Sequence, residues 1–322
     1  MESEPGARTL EERILLADLA RAYYLENLSK VEIAQQFGIS RFQVARMLDD
    51  ARASGIVSIE IRDPRRPRSS REASLAAHIG VESVRIADAG VRAETAFLER
   101  FGVAVLTELV ERIRPGMTVG IAWSRTLDAA ARTLPAIPPC DLVQLTGAFE
   151  VPGSSTFMRM LLQLDRHGGV ATYPLYAPLV VDEPSTAEDL RRQPVIAATL
   201  ERADHLDLAA LAIGAWAAGE SSVWDKVSDE LRDACERARV RAEFSGILVD
   251  EDGAVVRTPL DRRTIGVDLE QLRRAGQVVG FAHGRARAAA MRAAVATGVF
   301  SSVVVDEDLA SSLEAAPPVP AS

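Results

Sequence analysis

Ser29 to Ile61 reads SKVEIAQQFGISRFQVARMLDDARASGIVSIEI. Ser29 with Glu32 three places on forms a capping box, in which each side chain satisfies a backbone donor left free at a helix start. Val31, Ile33 and Ala34 supply apolar contacts, and Phe37-Gly38 ends the helix at a turn whose positive φ suits a residue without a Cβ. A second box, Ser40 with Gln43, opens the next helix. Val44, Met47, Leu48 and Ala51 recur at helical spacing and are expected in the core, which leaves Arg41, Phe42, Gln43, Ala45 and Arg46 on or near the opposite, N-terminal face, with the capping Ser40 beside them as a further DNA-contact candidate. In a helix-turn-helix that face enters the major groove of double-stranded DNA. Arginine holds guanine, and glutamine adenine, through two hydrogen bonds, so Arg41, Gln43 and Arg46 are expected to read bases or grip phosphates. The extended residues that follow give the unit a winged character. An Ala-rich hairpin buried in a helical core shares some of these features, but two boxes, a turn glycine and the core positions in one register favour DNA.

The 322-residue chain carries a net charge of −9, which alone speaks against a nucleic-acid partner. Net charge sums over domains, however, and a DNA-binding unit needs only a local basic face. The run RDPRRPRSSR, Arg62 to Arg71, follows the winglike segment. It fits a salt-sensitive backbone contact and a solvated, semi-rigid linker equally well. Either way it divides the chain into a helix-turn-helix domain (1–62), an Arg/Pro-rich linker (63–73) and a second domain (74–322). The start MESEPGARTL has no basic head or apolar run, and no stretch of about twenty apolar residues occurs, so a cytoplasmic protein is expected. Cys140, Cys235 and the four scattered histidines lack the paired spacing of a metal site or a disulfide framework, so no metal and no cofactor are expected.

Beyond Ser74, short apolar runs alternate with helical stretches, the pattern of a parallel sheet covered on both faces. Strands are expected at 83–86, 118–122, 142–145, 170–173, 208–213, 278–282 and 302–305, and a long helix at 93–113. The texture is Rossmann-like, without a GxGxxG fingerprint or P-loop. At Met117 to Leu134 a strand runs through the turn Ser124-Arg125-Thr126 into an Ala-rich helix, which presents hydroxyls, a guanidinium and free amides to an anion. Ligands of open parallel sheets bind beyond the carboxyl ends of the strands. Gln144, Thr146 and Gly147 follow one further strand, and His283, Gly284, Arg285 and Arg287 another. Each group also has a plain structural explanation as a helix cap or a surface charge.

From about Ile14 to Leu313 the chain resembles the SorC family of bacterial transcriptional regulators. The resemblance rests on the helix-turn-helix segment followed, in the family's order, by RPGMTVGIAWSRTL, VQLTGAF, YPLYAPLVVD, LAIGAW, SGILVDEDG, TPLDRRTIGV and FAHGRARAAAMRAA. It implies an α/β fold related to sugar-phosphate isomerases and glucosamine-phosphate deaminases, a homo-oligomer, and control of carbohydrate-use genes by a sugar or sugar phosphate. Carried over by position, it implies effector contacts from Ser124, Arg125, Thr126, Gln144, Thr146, Gly147, Glu243, Asp261, Arg263 and Arg287. Three positions depart from the family: Ser124 replaces a usual glycine, His283-Gly284 a Gly-Gly pair, and Arg287 a common lysine.

Two other functions fit parts of this sequence. A sugar-phosphate enzyme needs a base near a substrate proton, and Glu150, Asp182 and His283 are the available groups, yet no two form a recognisable pair. Lys30 and Lys226 are the only lysines, which leaves Schiff-base chemistry little to work with. A DNA-binding protein whose second domain only oligomerises would leave the polar strand ends dispensable.

Overall fold

A computed structural model describes residues 10–26, 28–54, 56–57, 69–88, 90, 94–133, 137–148 and 169–319. The chain divides into two compact units, Met1–Arg66 and Pro67–Ser322. The first contains helices α1 (Leu10–Tyr24), α2 (Lys30–Phe37) and α3 (Arg41–Ala53).

Both expected boxes close. Ser29 N donates to Glu32 at 2.8 Å and Glu32 N to the Ser29 hydroxyl at 3.3 Å; the Ser40 and Gln43 bonds measure 2.9 and 3.2 Å. Gly38 sits at φ 66° between α2 and α3. Leu16, Leu19 and Ala20 of α1 meet Ile33 of α2 and Val44, Leu48 and Ala51 of α3 in one buried cluster, with Met47 packed against its edge. Each fully buried large aliphatic side chain contributes roughly 1.5–3 kcal/mol relative to exposure, so this small core rests on few residues. Ile56 and Val57 pack against the same cluster. The expected wing beyond them, residues 58–61, and most of the Arg/Pro run, 62–68, lie outside the described residues. Ser69, grouped with the linker by composition, instead caps helix α4 (Ser70–Ile79) through a third box with Glu72. Arg71 ties that helix to Glu307 at 2.5 Å and Glu314 at 2.7 Å.

In the second unit, strands β1 (Ser83–Ala87), β2 (Thr118–Ile121), β3 (Asp141–Gln144), β4 (Ala171–Tyr173) and β5 (Leu208–Ala212) are followed by β6 (Gly214–Ala215), β7 (Ala242–Phe244), β8 (Ile247–Val249), β9 (Gln277–Ala282) and β10 (Ser302–Asp306). Helices α5 (Glu94–Val110), α6 (Arg125–Ala130), α7 (Pro184–Arg191), α8 (Pro194–Arg202), α9 (Ser222–Lys226), α10 (Asp229–Arg237), α11 (Leu269–Arg274), α12 (Ala288–Ala296) and α13 (Glu307–Glu314) intervene. Seven strands form a sheet in the order β1-β10-β9-β5-β2-β3-β4, and every pairing in it is parallel. Side chains alternate across it, as a pleated strand requires. Ala209, Leu211, Val278, Val303 and Val305 join the cluster on one face, while Leu208, Ala210, Val279, Phe281 and Val304 join that on the other. The seven expected strands are all present, and the long helix runs 94–110.

From β2 the chain steps outward to β3 and β4, then returns to β5 on the other side of β2 and continues to β9 and β10. The reversal makes the β2–β5 boundary a topological switch point, where connections leave in opposite directions and open a crevice at the carboxyl ends of the strands. Past β5, the antiparallel ribbon β6-β7-β8 adds a wall that the alternating pattern did not reveal. Among the described residues, no helix is long and apolar enough to cross a membrane.

Candidate effector cavity and DNA-reading helix

The crevice at the switch point encloses a cavity of about 130 Å³. Each wall follows from a strand end. β2 delivers Trp123, Ser124, Arg125 and Thr126; β5 and β6 deliver Ile213 and Gly214; β7 delivers Glu243, and β9 delivers His283. Gly102 of α5 allows the first of these segments its position: a Cβ there would lie 2.3 Å from the Thr126 carbonyl oxygen.

Ser124, nearly fully buried, uses its hydroxyl to accept from Leu127 N at 3.1 Å, so it caps α6. Arg125 donates to the Gly219 carbonyl at 3.0 Å, and the Thr146 hydroxyl accepts from Trp123 N at 3.4 Å. Arg287, at the start of α12, donates to the carbonyls of His283 at 2.7 Å and Glu220 at 3.3 Å, with the Glu220 carboxylate 3.0 Å away. Burial pulls its pKa down, opposed by Glu220.

Glu243 is enclosed, and burial pushes its carboxyl up to about 7 against the lowering effect of bonds from Gly246 N at 2.8 Å and Ser221 Oγ at 3.1 Å. The same burial acts in reverse on His283, pulling it down to about 4, with Arg287 and Arg125 adding to the effect. Its ring lies edge-on to Phe97 and Phe101, with centroids 5.2 and 5.4 Å away. Ser245 sits at the β7–β8 turn with φ 56°, and its buried hydroxyl has no hydrogen-bond partner, an outstanding donor on the cavity wall.

Six of the ten residues carried over as effector contacts line this cavity: Ser124, Arg125, Thr126, Thr146, Glu243 and Arg287. The other four do not, each for a visible reason. Gln144 is turned into the protein, donating to the Thr146 carbonyl at 2.7 Å and accepting from Leu175 N at 3.0 Å. Gly147 is a close approach, since a Cβ would lie 2.4 Å from the Pro178 carbonyl. Asp261 accepts from the Thr258 hydroxyl at 3.3 Å and closes a turn, and Arg263 faces a separate depression beside Asp182 and Lys226. Glu220, Ser221 and Ser245 line the cavity unforeseen. The signal available for the first two was AAGESS, a small, polar loop directly after a strand.

A larger cavity, about 540 Å³, opens on the far side of the Ser245-Gly246 turn. Its charges are mostly satisfied within the protein: Arg274 pairs with Asp204 at 2.6 Å and Arg273 with Glu270 at 2.6 Å, while Asp268 caps α11. The smaller cavity, with its convergent polar groups and strongly shifted titrations, is the better candidate for a ligand site despite its size.

On α3, Ser40, Arg41, Phe42, Gln43 and Arg46 are all exposed, Phe42 to 87%. Gln43 differs from the two arginines because its carbonyl oxygen is held by Ser40 N. Adenine recognition needs that oxygen, so reading by Gln43 competes with the helix cap.

Among the three groups suited to be a sugar-phosphate base, Glu150 lies outside the described residues, Asp182 borders another depression, and His283 is held neutral with weak basicity. The described residues contain no cluster of three or more metal-ligating side chains.

A family model described as "Putative sugar-binding domain" matches residues 66–313. The transcriptional regulator LsrR of Klebsiella pneumoniae subsp. pneumoniae is 24% identical over 316 residues, covering 96% of this chain and 95% of its own. The deoxyribonucleoside regulator of Bacillus subtilis is 24% identical and covers 94% and 98%. Among solved structures, full-length sorbitol operon regulator SorC from Klebsiella pneumoniae superposes with a TM-score of 0.67 at 19% identity, over 94% of this chain and 98% of that one.

Proposed function

As a member of the SorC family of transcriptional regulators, the chain acts in sugar-modulated transcription, and we propose that its effector is an anionic sugar, a sugar phosphate, held at the β2–β5 switch point. The observation that carries this reading is the convergence of Arg125 and Arg287 on one cavity that also holds the Glu243 and Glu220 carboxyls, the His283 imidazole and several hydroxyls. Arginine forks suit phosphate oxygens, and Glu243, Ser245 and Thr146 suit sugar hydroxyls. Operator DNA is read by α3, principally through Arg41 and Arg46, with Phe42 offering an apolar contact to a thymine methyl.

Effector and DNA are linked through assembly. Two helix-turn-helix units of a homo-oligomer must match half-sites set whole helical turns apart, and an effector shifts the DNA-bound population only by its differential affinity for two assemblies. The genes controlled are those for carbohydrate use.

A thermal-unfolding screen of sugars beside their phosphate esters tests the ligand class. A ligand bound only by the folded protein stabilises it by about 2.7 kcal/mol at a hundredfold excess over Kd. The expected result is stabilisation by one phosphate ester, lost in Arg125→Ala and Arg287→Ala. Stabilisation by a neutral polyol alone, unchanged in both variants, sinks the anionic reading.

A further inference from the structure

The groups that an anionic sugar would claim are already engaged by one short stretch of the same chain. Gly219 lends its carbonyl to Arg125 at 3.0 Å. Glu220 offers Arg287 both its carbonyl, 3.3 Å from Nε, and its carboxylate, 3.0 Å from Nη1. Ser221 donates to Glu243 at 3.1 Å. Three consecutive residues thus engage both cavity arginines and the buried carboxyl, and all three line the cavity.

The Glu220 carboxylate is chemically close to the ligand. It is an oxyanion beside a guanidinium, in charge contact but without a hydrogen bond, where a phosphate oxygen would make the charge-assisted bond that the carboxylate does not. The Arg287 side chain is 12% exposed and that of Glu220 29%, so their attraction is only partly screened. The stretch has few ties of its own: Glu220 N bonds the Ala217 carbonyl at 3.1 Å, and Gly219 N bonds Asp225 at 2.9 Å. Ser221 is the better anchored end, because its hydroxyl caps α9 by accepting from Val223 N and Trp224 N.

We propose that Gly219–Ser221 is a built-in competitor for the effector: Glu220 occupies Arg287 in the empty protein, and an anionic sugar binds by displacing that carboxylate. A doubly charged phosphate can replace a carboxylate on arginine, whereas a neutral hydroxyl gains too little from the exchange. Glu220 therefore sets both the working affinity and the preference for charged over uncharged sugars. This inference rests on the anionic reading of the cavity.

Inorganic phosphate is the probe, titrated calorimetrically into the full-length protein and its Glu220→Gln, Glu220→Ala and Arg287→Ala variants, each checked for a cooperative melt. Glu220→Gln and Glu220→Ala should bind phosphate about tenfold more tightly than the parent, a gain equal to about 1.4 kcal/mol. Adding Arg287→Ala to either should abolish the gain. Amide exchange at Gly219 and Glu220 should accelerate when phosphate is added to the parent. If phosphate binds through Arg287 but no Glu220 variant binds it more tightly, or exchange at these amides does not change, the competitor is refuted and the anion site stands. If phosphate binds none of the proteins, or binds Arg287→Ala as well as the parent, both ideas fall.

Discussion

Glu243 and His283 line one cavity and titrate abnormally in opposite senses, so replacing either should tilt the pH dependence of stability. Burial raises the first from 4.5 to about 7 and lowers the second from 6.5 to about 4. The stabilisation associated with protonated Glu243 is complete below the unfolded carboxyl pKa and is lost as pH rises through about 7. At 1.36 kcal/mol per unit, that loss between about pH 5 and about pH 8 comes to roughly 2 to 3 kcal/mol. His283 behaves conversely: its contribution is present above 6.5 and is lost as pH falls through about 4. Over the same interval it rises with pH by roughly 2 kcal/mol, so the two nearly cancel in the parent protein. Urea unfolding at both pH values reads the balance. Relative to the parent, Glu243→Gln should favour the higher pH by about 2 kcal/mol, His283→Gln should favour the lower pH by a similar amount, and the double variant should return to the parent slope. Other titrating groups are common to all four proteins and drop out of the comparison. Parallel pH profiles for parent and single variants would refute the reasoning, because the carboxyl and the imidazole would then titrate normally.

Two further outcomes follow from residues outside this pair. Arg41→Ala with Arg46→Ala should weaken operator binding and reduce the slope of log affinity against log salt by about 1.8 if both grip phosphates; an unchanged slope and affinity in a DNA-binding assay would remove α3 from the groove. Gly102→Ala should destabilise the protein by about 1–3 kcal/mol through overpacking against Thr126, despite a helix-propensity gain of about 1 kcal/mol. It should also weaken effector binding, and a more stable variant in thermal unfolding would show that the contact relaxes freely.

The helix-turn-helix was legible because its signals are local: a cap and its partner stand three residues apart, and a single glycine marks the turn. The parallel strands were legible for the same reason, as apolar runs covered on both faces need no distant information. Arg125 and Arg287 could be picked as strand-end residues, but their convergence depends on β2 and β9 flanking β5, a sheet order that periodicity does not encode. Glu220 was missed because its meaning lies in Arg287, far along the chain. Gln144 and Asp261 lie off the cavity for a related reason. Polar residues that close their own turns look, in sequence, like polar residues awaiting a ligand, and only hydrogen-bond bookkeeping separates the two.

In the seven-stranded sheet β1 pairs only with β10, the last strand of the chain. Arg71 of α4 reaches Glu307 and Glu314 of α13, and Val319 N bonds the His78 carbonyl at 3.1 Å. On the ribosome, β1 must therefore wait for its sheet neighbour until translation has passed Asp306. Contacts of such sequence separation are slow to form and leave a strand edge exposed in the interval. A premature stop before Ser302 would not yield a slightly shortened sensor. It would release a nascent chain in which β1 lacks its sheet neighbour β10, while α1, α2 and α3 still share their own buried cluster.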